Sequence, residues 1–296
     1  MKKVNPKEIL KLAQEGKYAI GSFNFSTAEI LKAIVLAAKG LKAPIIVSTS
    51  EGEANFLGMR EAAALVSAWS AATKLPMILN LDHGKSPEMI KKAIAAGYNA
   101  IHFDGSTFPY LENLAQTKKI VDYVRAVEKT FDREIIVEGE LGYLRGSSSL
   151  HEEALEIKQE DLTSADQASD FIKHSGVDSL AVVIGNAHGI FTKSEEKLNL
   201  ERLKEIRRAI GTQAFLVLHG GSGIPEKDIK KAIKSGIVKI NINTELRLAY
   251  KDAIEKEIKT EPSQTTPYKI MEPALEAVKK VVEEKIKMFG SKGKIK

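Results

Sequence analysis

Eight times along this chain a short run rich in Ile, Val and Leu gives way to a segment of helical periodicity, and no other feature restricts the fold as much. The runs are YAIGSFNF (18–25), PIIVSTS (44–50), PMILNLDH (76–83), AIHFDGS (100–106), EIIVEGELG (134–142), SLAVVIGNAHG (179–189), AFLVLHGGSG (214–223) and VKININ (238–243). Segments such as TAEILKAIVLAAKGL and NLERLKEIRRAIG lie between them. Apolar strands linked through helices require a parallel sheet covered on both faces. Eight such units close into an α/β fold of one kind, the (β/α)8 TIM barrel. The competing doubly wound sheet would carry a GxGxxG after its first strand, which is missing. Ser86 before Pro87, and Thr163 or Ser164, are helix starts; Gly97, Gly176, Gly211 and Gly236 are helix ends. An extra helix (5–16) precedes the barrel and another (272–289) follows it. No linker interrupts 1–296, which reads as one domain.

Composition narrows the function classes. The formal charge of +5 comes from 44 Lys+Arg against 39 Asp+Glu, interleaved on helical faces such as KKVVEEKIK. No basic tract carries aromatics, so nucleic acid is not expected as a partner. Cysteine is absent, which excludes thiolate zinc ligands, disulfides and a cysteine nucleophile. No apolar stretch has transmembrane length and the N-terminus is amphipathic rather than signal-like, so no membrane association and a cytoplasmic location are expected.

Strand C-terminal ends are where a barrel of this kind keeps its chemistry. His83, His188 and His219 each stand at the end of an apolar run, and each is followed by glycine, in DHG, AHG and LHGG. Three imidazoles on one rim with an open position describe a catalytic zinc site. His102 lies inside a run, His151 in a loop and His174 on a helix. Acids gather at the same ends: Asp82, Asp104, Glu138 and Glu140, the last two sharing a strand face. Clustered carboxylates repel one another unless a cation or proton offsets them. The glycine-rich HGGSG (219–223), and NINTE (241–245) leading into the last barrel helix, occupy the usual phosphate loops after strands seven and eight.

LDHG, the DGS after the fourth run, EGELG, IGNAHG, LHGGSG and KININTE, with GSFNF and a terminal FGS, together resemble the class II, metal-dependent fructose-1,6-bisphosphate aldolases over essentially the whole chain. The resemblance implies cleavage of fructose 1,6-bisphosphate to dihydroxyacetone phosphate and glyceraldehyde 3-phosphate. It also implies Zn2+ or another divalent ion on His83, His188 and His219. Asp82 would exchange the proton of the hydroxyl that becomes the aldehyde. Glu140 would exchange the proton at the carbon that becomes nucleophilic. Asp104 and Glu138 would back the ligands or hold the metal in an alternative position. Asn24, Ser50, Gly189, Lys193, Gly220, Gly221, Ser222, Gly223, Asn241, Asn243 and Thr244 match substrate- and phosphate-binding places. Na+ or K+ near the phosphate loops and a homodimer or homotetramer are further implications.

The chemistry suits these residue types, because retro-aldol cleavage leaves an enediolate that a Lewis acid stabilises. The alternative imine route needs a desolvated lysine. Lys239 starts the eighth strand, at the wrong end for that role. The chain departs from the resemblance at Lys193, at its C-terminal segment and at Arg145, which occupies a spot that is often glycine. Lys193 lies five residues after His188, a spacing nearer to tagatose-1,6-bisphosphate aldolases. Asn243 is nearer to the fructose-bisphosphate branch. The usual C-terminal arginine is replaced by Tyr268 and Lys269, which leaves Lys269, Arg247 or Arg145 for the second phosphate. The long segment 142–162 reads as a mobile lid. A metal-dependent hydrolase would carry HxH on an early strand, which is lacking. A sugar-phosphate-binding scaffold would not need the acids.

Overall fold

The computed structural model describes residues 5–153, 155–192 and 197–295. Its elements run α1 (Pro6–Glu15), β1 (Ile20–Asn24), α2 (Ala28–Leu41), β2 (Ile45–Ser50), α3 (Glu51–Leu57), α4 (Met59–Thr73), β3 (Met77–Gly84), α5 (Pro87–Ala96), β4 (Ala100–Phe103) and α6 (Tyr110–Phe131). They continue β5 (Ile136–Leu141), β6 (Gly146–His151), α7 (Ala165–Ser175), β7 (Ser179–Val182), β8 (His188–Phe191), α8 (Leu200–Ile210), β9 (Phe215–Leu218), α9 (Glu226–Lys234), β10 (Ile237–Ile242), α10 (Thr244–Thr260) and α11 (Pro267–Met288). Eight parallel strands close in the order β1-β10-β9-β7-β5-β4-β3-β2, a (β/α)8 barrel.

Side chains inside the barrel change character every second residue. Ile20, Ile46, Ile78, Ala100 and Ile136 form an apolar floor, which α1 closes with Leu10 and Ala13. Two residues further along each strand come Ser22, Ser48, Asn80, His102 and Glu138, all buried. Polar groups at that depth are costly unless paired. Here Ser22 and Ser48 share a hydrogen bond of 2.7 Å and Asn80 donates to Ser48 at 3.2 Å. Two residues further again stand Asn24, Ser50, Asp82, Asp104 and Glu140. The intervening residues, including Phe23, Val47, Leu79, Leu81, Ile101, Phe103 and Val137, face the helices in the main core. Each such burial contributes about 1.5–3 kcal/mol. Stability is thus supplied from the outside and the floor, which frees the upper interior for polar groups.

Two β-bulges break this alternation where it matters most. In β3, Leu81 pairs with Ile101 but Gly84 pairs with Phe103, so one residue too many lies between the paired positions. In β10, Ile237 and Lys239 pair with the consecutive residues Leu216 and Val217. Val238 therefore joins the floor while Lys239, its neighbour, also reaches the barrel interior.

Several sequence expectations change in detail. α1 lies within the expected 5–16, and Ser164 rather than Thr163 caps α7, accepting from the Gln167 amide at 3.1 Å. α11 starts five residues before 272, because Pro273 sits within the helix rather than opening it. The sixth run is two strands, not one. Its turn is held by Asn186, whose Oδ1 accepts from the Ile184 amide at 2.8 Å and whose Nδ2 donates to the His219 carbonyl at 3.0 Å. Within segment 142–162 lies a strand that the sequence did not announce: β6 runs parallel to β8 in a separate two-stranded sheet. Its polar sequence, GSSSLH, has none of the hydrophobic alternation by which a strand is read.

Candidate active site

Regular alternation would turn Asp82 and His83 to opposite faces. The β3 bulge, with His83 at φ 51°, brings both into the same cavity. A left-handed backbone at a non-glycine residue costs of order 1–3 kcal/mol and persists where the surroundings enforce it. His83 is enforced from both sides. Its backbone N–H donates to His102 Nδ1 at 3.2 Å and its ring Nδ1 pairs with Asp104 Oδ2 at 3.0 Å.

The cavity is lined by Asn24, Ser50, Asp82, His83, His188, Gly189, His219, Gly220, Ser222, Asn241, Asn243 and Thr244, together with Ser148 of β6 and Arg247 of α10. Twelve of the sequence-predicted residues therefore meet in one place. Asp82 accepts from both sides: Asn241 Nδ2 reaches Oδ1 at 2.9 Å and Asn24 Nδ2 reaches Oδ2 at 3.0 Å. Burial alone would raise its pKa. The neighbouring His83, His219, Lys239 and His102 outweigh this and hold the carboxyl well below the usual range, so it is a base at neutral pH.

The imidazoles fit a metal. His83 Nε2 and His219 Nδ1 face each other at 3.0 Å, while a carboxylate holds the far nitrogen of each ring. Asp104 holds His83, and Glu138 Oε1 pairs with His219 Nε2 at 2.8 Å. Such outer carboxylates orient metal-binding histidines. Rings sharing one ion stand roughly 5 Å apart, given nitrogen–metal bonds of about 2.1 Å. The His83 centroid lies 4.7 Å from that of His219 and 4.9 Å from that of His188, while the latter two are 6.4 Å apart. Burial together with the nearby His83 and His219 pushes His188 down to about 3, which keeps the ring neutral with one nitrogen lone pair available for coordination. Burial works the same way on His83, but Asp82, Asp104 and Glu140 push it up to about 9, so a metal there displaces a proton.

His102 is the imidazole that the sequence undervalues. Ligand atoms of Asp82, His83, His102 and His219 all lie within 4.8 Å of one another, a set that leaves out His188. Both His102 nitrogens nevertheless face protein groups. Nδ1 accepts the His83 amide, and Nε2 approaches Glu140 Oε2 to 3.0 Å without hydrogen-bond alignment. His102 is fully buried and does not line the cavity, whereas His188 does. His188 is accordingly the third cavity-facing imidazole.

Glu140 also lies behind the cavity rather than on its wall. It is buried against His102 and lies 3.7 Å from His83 Nδ1. With His83 and Asp104 it forms a second potential cation cluster.

The phosphate loops divide in the same way. Gly220 has φ 62°, and a Cβ there would stand 2.0 Å from the Ala187 carbonyl oxygen, so only glycine lets the loop pass beneath His188. Gly221 donates its N–H to the Asn241 carbonyl at 3.0 Å and Gly223 to Glu245 Oε1 at 2.8 Å. Those two glycines tie the loops together and are not part of the wall. Asn243, Thr244 and Arg247 bring the N-terminal turn of α10 to the cavity, where helix dipole and guanidinium both favour an anion. Arg145 is committed elsewhere, in a two-point pair with Asp161 at 2.6 and 3.0 Å. Lys269 belongs to the first turn of α11, where the adjoining Tyr268 lines a different surface hollow with Trp69. Of the three basic candidates, only Arg247 lines the cavity. Lys193 lies outside the described residues.

A β/α barrel whose C-terminal rim gathers imidazoles backed by carboxylates has the arrangement of a metal-dependent barrel enzyme. The comparisons carry this to a family: residues 4–294 match the model for class-II fructose-bisphosphate aldolase, and the chain belongs to that family. It is an aldolase, a carbon–carbon lyase acting on a sugar phosphate, in a family that is metal-dependent. Among solved structures, the YdjI aldolase of Escherichia coli K12 is 34% identical, with a TM-score of 0.83 over 99% of this chain and 100% of that one. A Coccidioides immitis protein is 27% identical, with a TM-score of 0.83 over 100% and 99% of the two chains. The fructose-bisphosphate aldolase of Campylobacter jejuni is 22% identical and shares the fold, with a TM-score of 0.81 over 97% and 94%. Among the described residues no helix is long and apolar enough to cross a membrane.

Proposed function

We propose that the chain is a zinc-dependent aldolase that cleaves fructose 1,6-bisphosphate reversibly to dihydroxyacetone phosphate and glyceraldehyde 3-phosphate. The observation that carries this reading is a single cavity whose wall combines His83, His188, His219 and Asp82 with Asn243, Thr244 and Arg247. Bound zinc supplies a Lewis acid to the oxygens of the ketose. Asp82, ionised and held by two amides, takes the proton of the hydroxyl that becomes the aldehyde. Ser222, Asn243 and Thr244 receive one phosphate; Na+ or K+ beside these loops belongs to the same reading. Arg247 receives the other phosphate, for which it must exchange Glu53 Oε1, now at 3.1 Å, and the Ser148 carbonyl, now at 3.2 Å. The protein is read as a cytoplasmic homodimer or homotetramer.

Substrate choice is tested by assaying fructose 1,6-bisphosphate, tagatose 1,6-bisphosphate and fructose 1-phosphate in parallel. Arg247→Ala should raise KM for the preferred bisphosphate by about 10–100-fold and leave that for the monophosphate nearly unchanged, as expected for loss of one charge-assisted contact. Faster turnover of the tagatose compound would reassign the substrate; faster turnover of the monophosphate would remove the second phosphate altogether.

With Glu140 behind the metal ligands, exchange at the nucleophilic carbon falls to a carboxylate reaching in from the covering segment. Glu152 and Glu153 are exposed just past β6 and are the pair suited to this. Replacing both with alanine should suppress deuterium exchange into dihydroxyacetone phosphate by at least about 100-fold with zinc retained. Glu140→Ala should instead weaken zinc. The opposite pattern would restore Glu140 as the exchanging group.

A further inference from the structure

Beyond its charge near Asp82, Lys239 has no part in the chemistry described so far, yet it is among the most deeply placed cations of the described residues. Its side chain is 3% exposed, and its Nζ donates to Glu138 Oε2 at 2.8 Å. Ser179 Oγ donates weakly to the same oxygen at 3.5 Å. The other oxygen of Glu138 meets His219 Nε2 at 2.8 Å. A lysine, a glutamate and a histidine thus form one buried chain ending at the ring nitrogen that faces His83. The β10 bulge is what builds it, since it admits Lys239 to the interior directly after the floor residue Val238. A buried ammonium is expensive unless paired, and bulges beside active sites commonly re-aim one side chain.

We infer that Lys239 is a positioning residue that sets the tautomer of His219 through Glu138. An ammonium has only donors, so the carboxylate between it and the ring is kept as an acceptor on both oxygens. His219 must then carry its proton on Nε2, which leaves the Nδ1 lone pair directed at the cavity. The groups facing Nδ1 agree, for the Asn241 amide nitrogen approaches it at 3.4 Å and His83 Nε2 at 3.0 Å. Without the ammonium, only the weak Ser179 contact among the described residues fixes the second oxygen of Glu138. The carboxylate then turns away from Nε2 and no longer imposes the tautomer, and Nδ1 carries a proton in part of the population. This inference rests on the reading of His219 as a metal ligand.

The test combines zinc affinity, measured by competition with a chelator, with 15N spectra of the histidine rings in the metal-free and zinc-loaded protein. In the wild type the His219 Nδ1 resonance should be that of an unprotonated ring nitrogen and should move on zinc binding. Lys239→Met should bind zinc about 10–100-fold more weakly, in the range found for disturbed outer-shell partners. Its metal-free Nδ1 resonance should move toward the protonated position. The double variant Lys239→Met/Glu138→Gln removes both charges, so no ion is left unpaired in the barrel if the single variant does not fold. It should show the same weaker binding and mixed tautomer. Wild-type affinity and an unchanged resonance in whichever variant folds would overturn the inference, as would a lower melting temperature with no change in tautomer. A wild-type His219 resonance that ignores zinc would refute the metal-site reading itself, and the role of Lys239 with it.

Discussion

Thorough chelation should abolish bisphosphate cleavage, and His188→Ala should reproduce that loss even when zinc is supplied. The expected drop in kcat/KM is about 1,000-fold or more, equivalent to at least about 4 kcal/mol of transition-state stabilisation. His188 is informative because its place in the ligand set follows from its exposure to the cavity, whereas His102 has the closer ring nitrogens. Metal analysis of the purified variant distinguishes the two. Loss of zinc together with activity assigns His188 as a ligand. A His188→Ala enzyme with stoichiometric zinc and ordinary turnover would transfer the third position to His102, which both Glu140 and the His83 backbone would then have to release. Activity that survives complete removal of divalent ions would end the Lewis-acid reading.

Asp82→Asn should lower kcat by about 100- to 10,000-fold, the usual range for loss of a positioned proton-transfer group. Zinc content should be retained, because Asp82 is not needed to hold His83, which Asp104 orients. The substitution also has a structural cost. Two amide donors, Asn24 and Asn241, converge on the carboxylate, and an asparagine can accept only through one oxygen. One donor loses its partner, a destabilisation of about 1–3 kcal/mol that a thermal melt would register. Unchanged kcat in a zinc-replete Asp82→Asn enzyme would move the proton transfer elsewhere. Asp82→Ala should be equally inactive and at least as destabilised, because both amide donors then lose the carboxylate as acceptor.

Much of this was legible in the sequence, and the parts that were not have physical reasons. The barrel followed from the alternation of eight strands and helices, because hydrophobic period reports directly on burial. The three HG pairs and the acids beside them followed from position, because strand ends in this fold point at one rim. Register left no such trace. Nothing in PMILNLDHG shows that the strand bulges after Leu81, or in GIVKIN that Val238 and Lys239 both enter the barrel. Lys239 consequently looked misplaced, although it lies directly beneath the site. The surroundings of Glu140 were hidden for a related reason, since sharing a face with Glu138 does not reveal that its carboxylate packs against His102 rather than on the cavity wall. β6 escaped notice because its partner, β8, lies some forty residues away and its own residues are polar.

The backbone irregularity at Asp82 and His83 has a consequence for anyone who would copy this site. An acid and an imidazole on successive residues can serve the same cavity only because the strand takes an extra residue between its paired positions. Transplanted letter for letter onto a flat, regular strand, Asp-His would send one group to the ligand and the other into the helical layer. A designer working with an unbroken ladder would have to write Asp-X-His instead, and in that setting the histidine would no longer need a left-handed backbone.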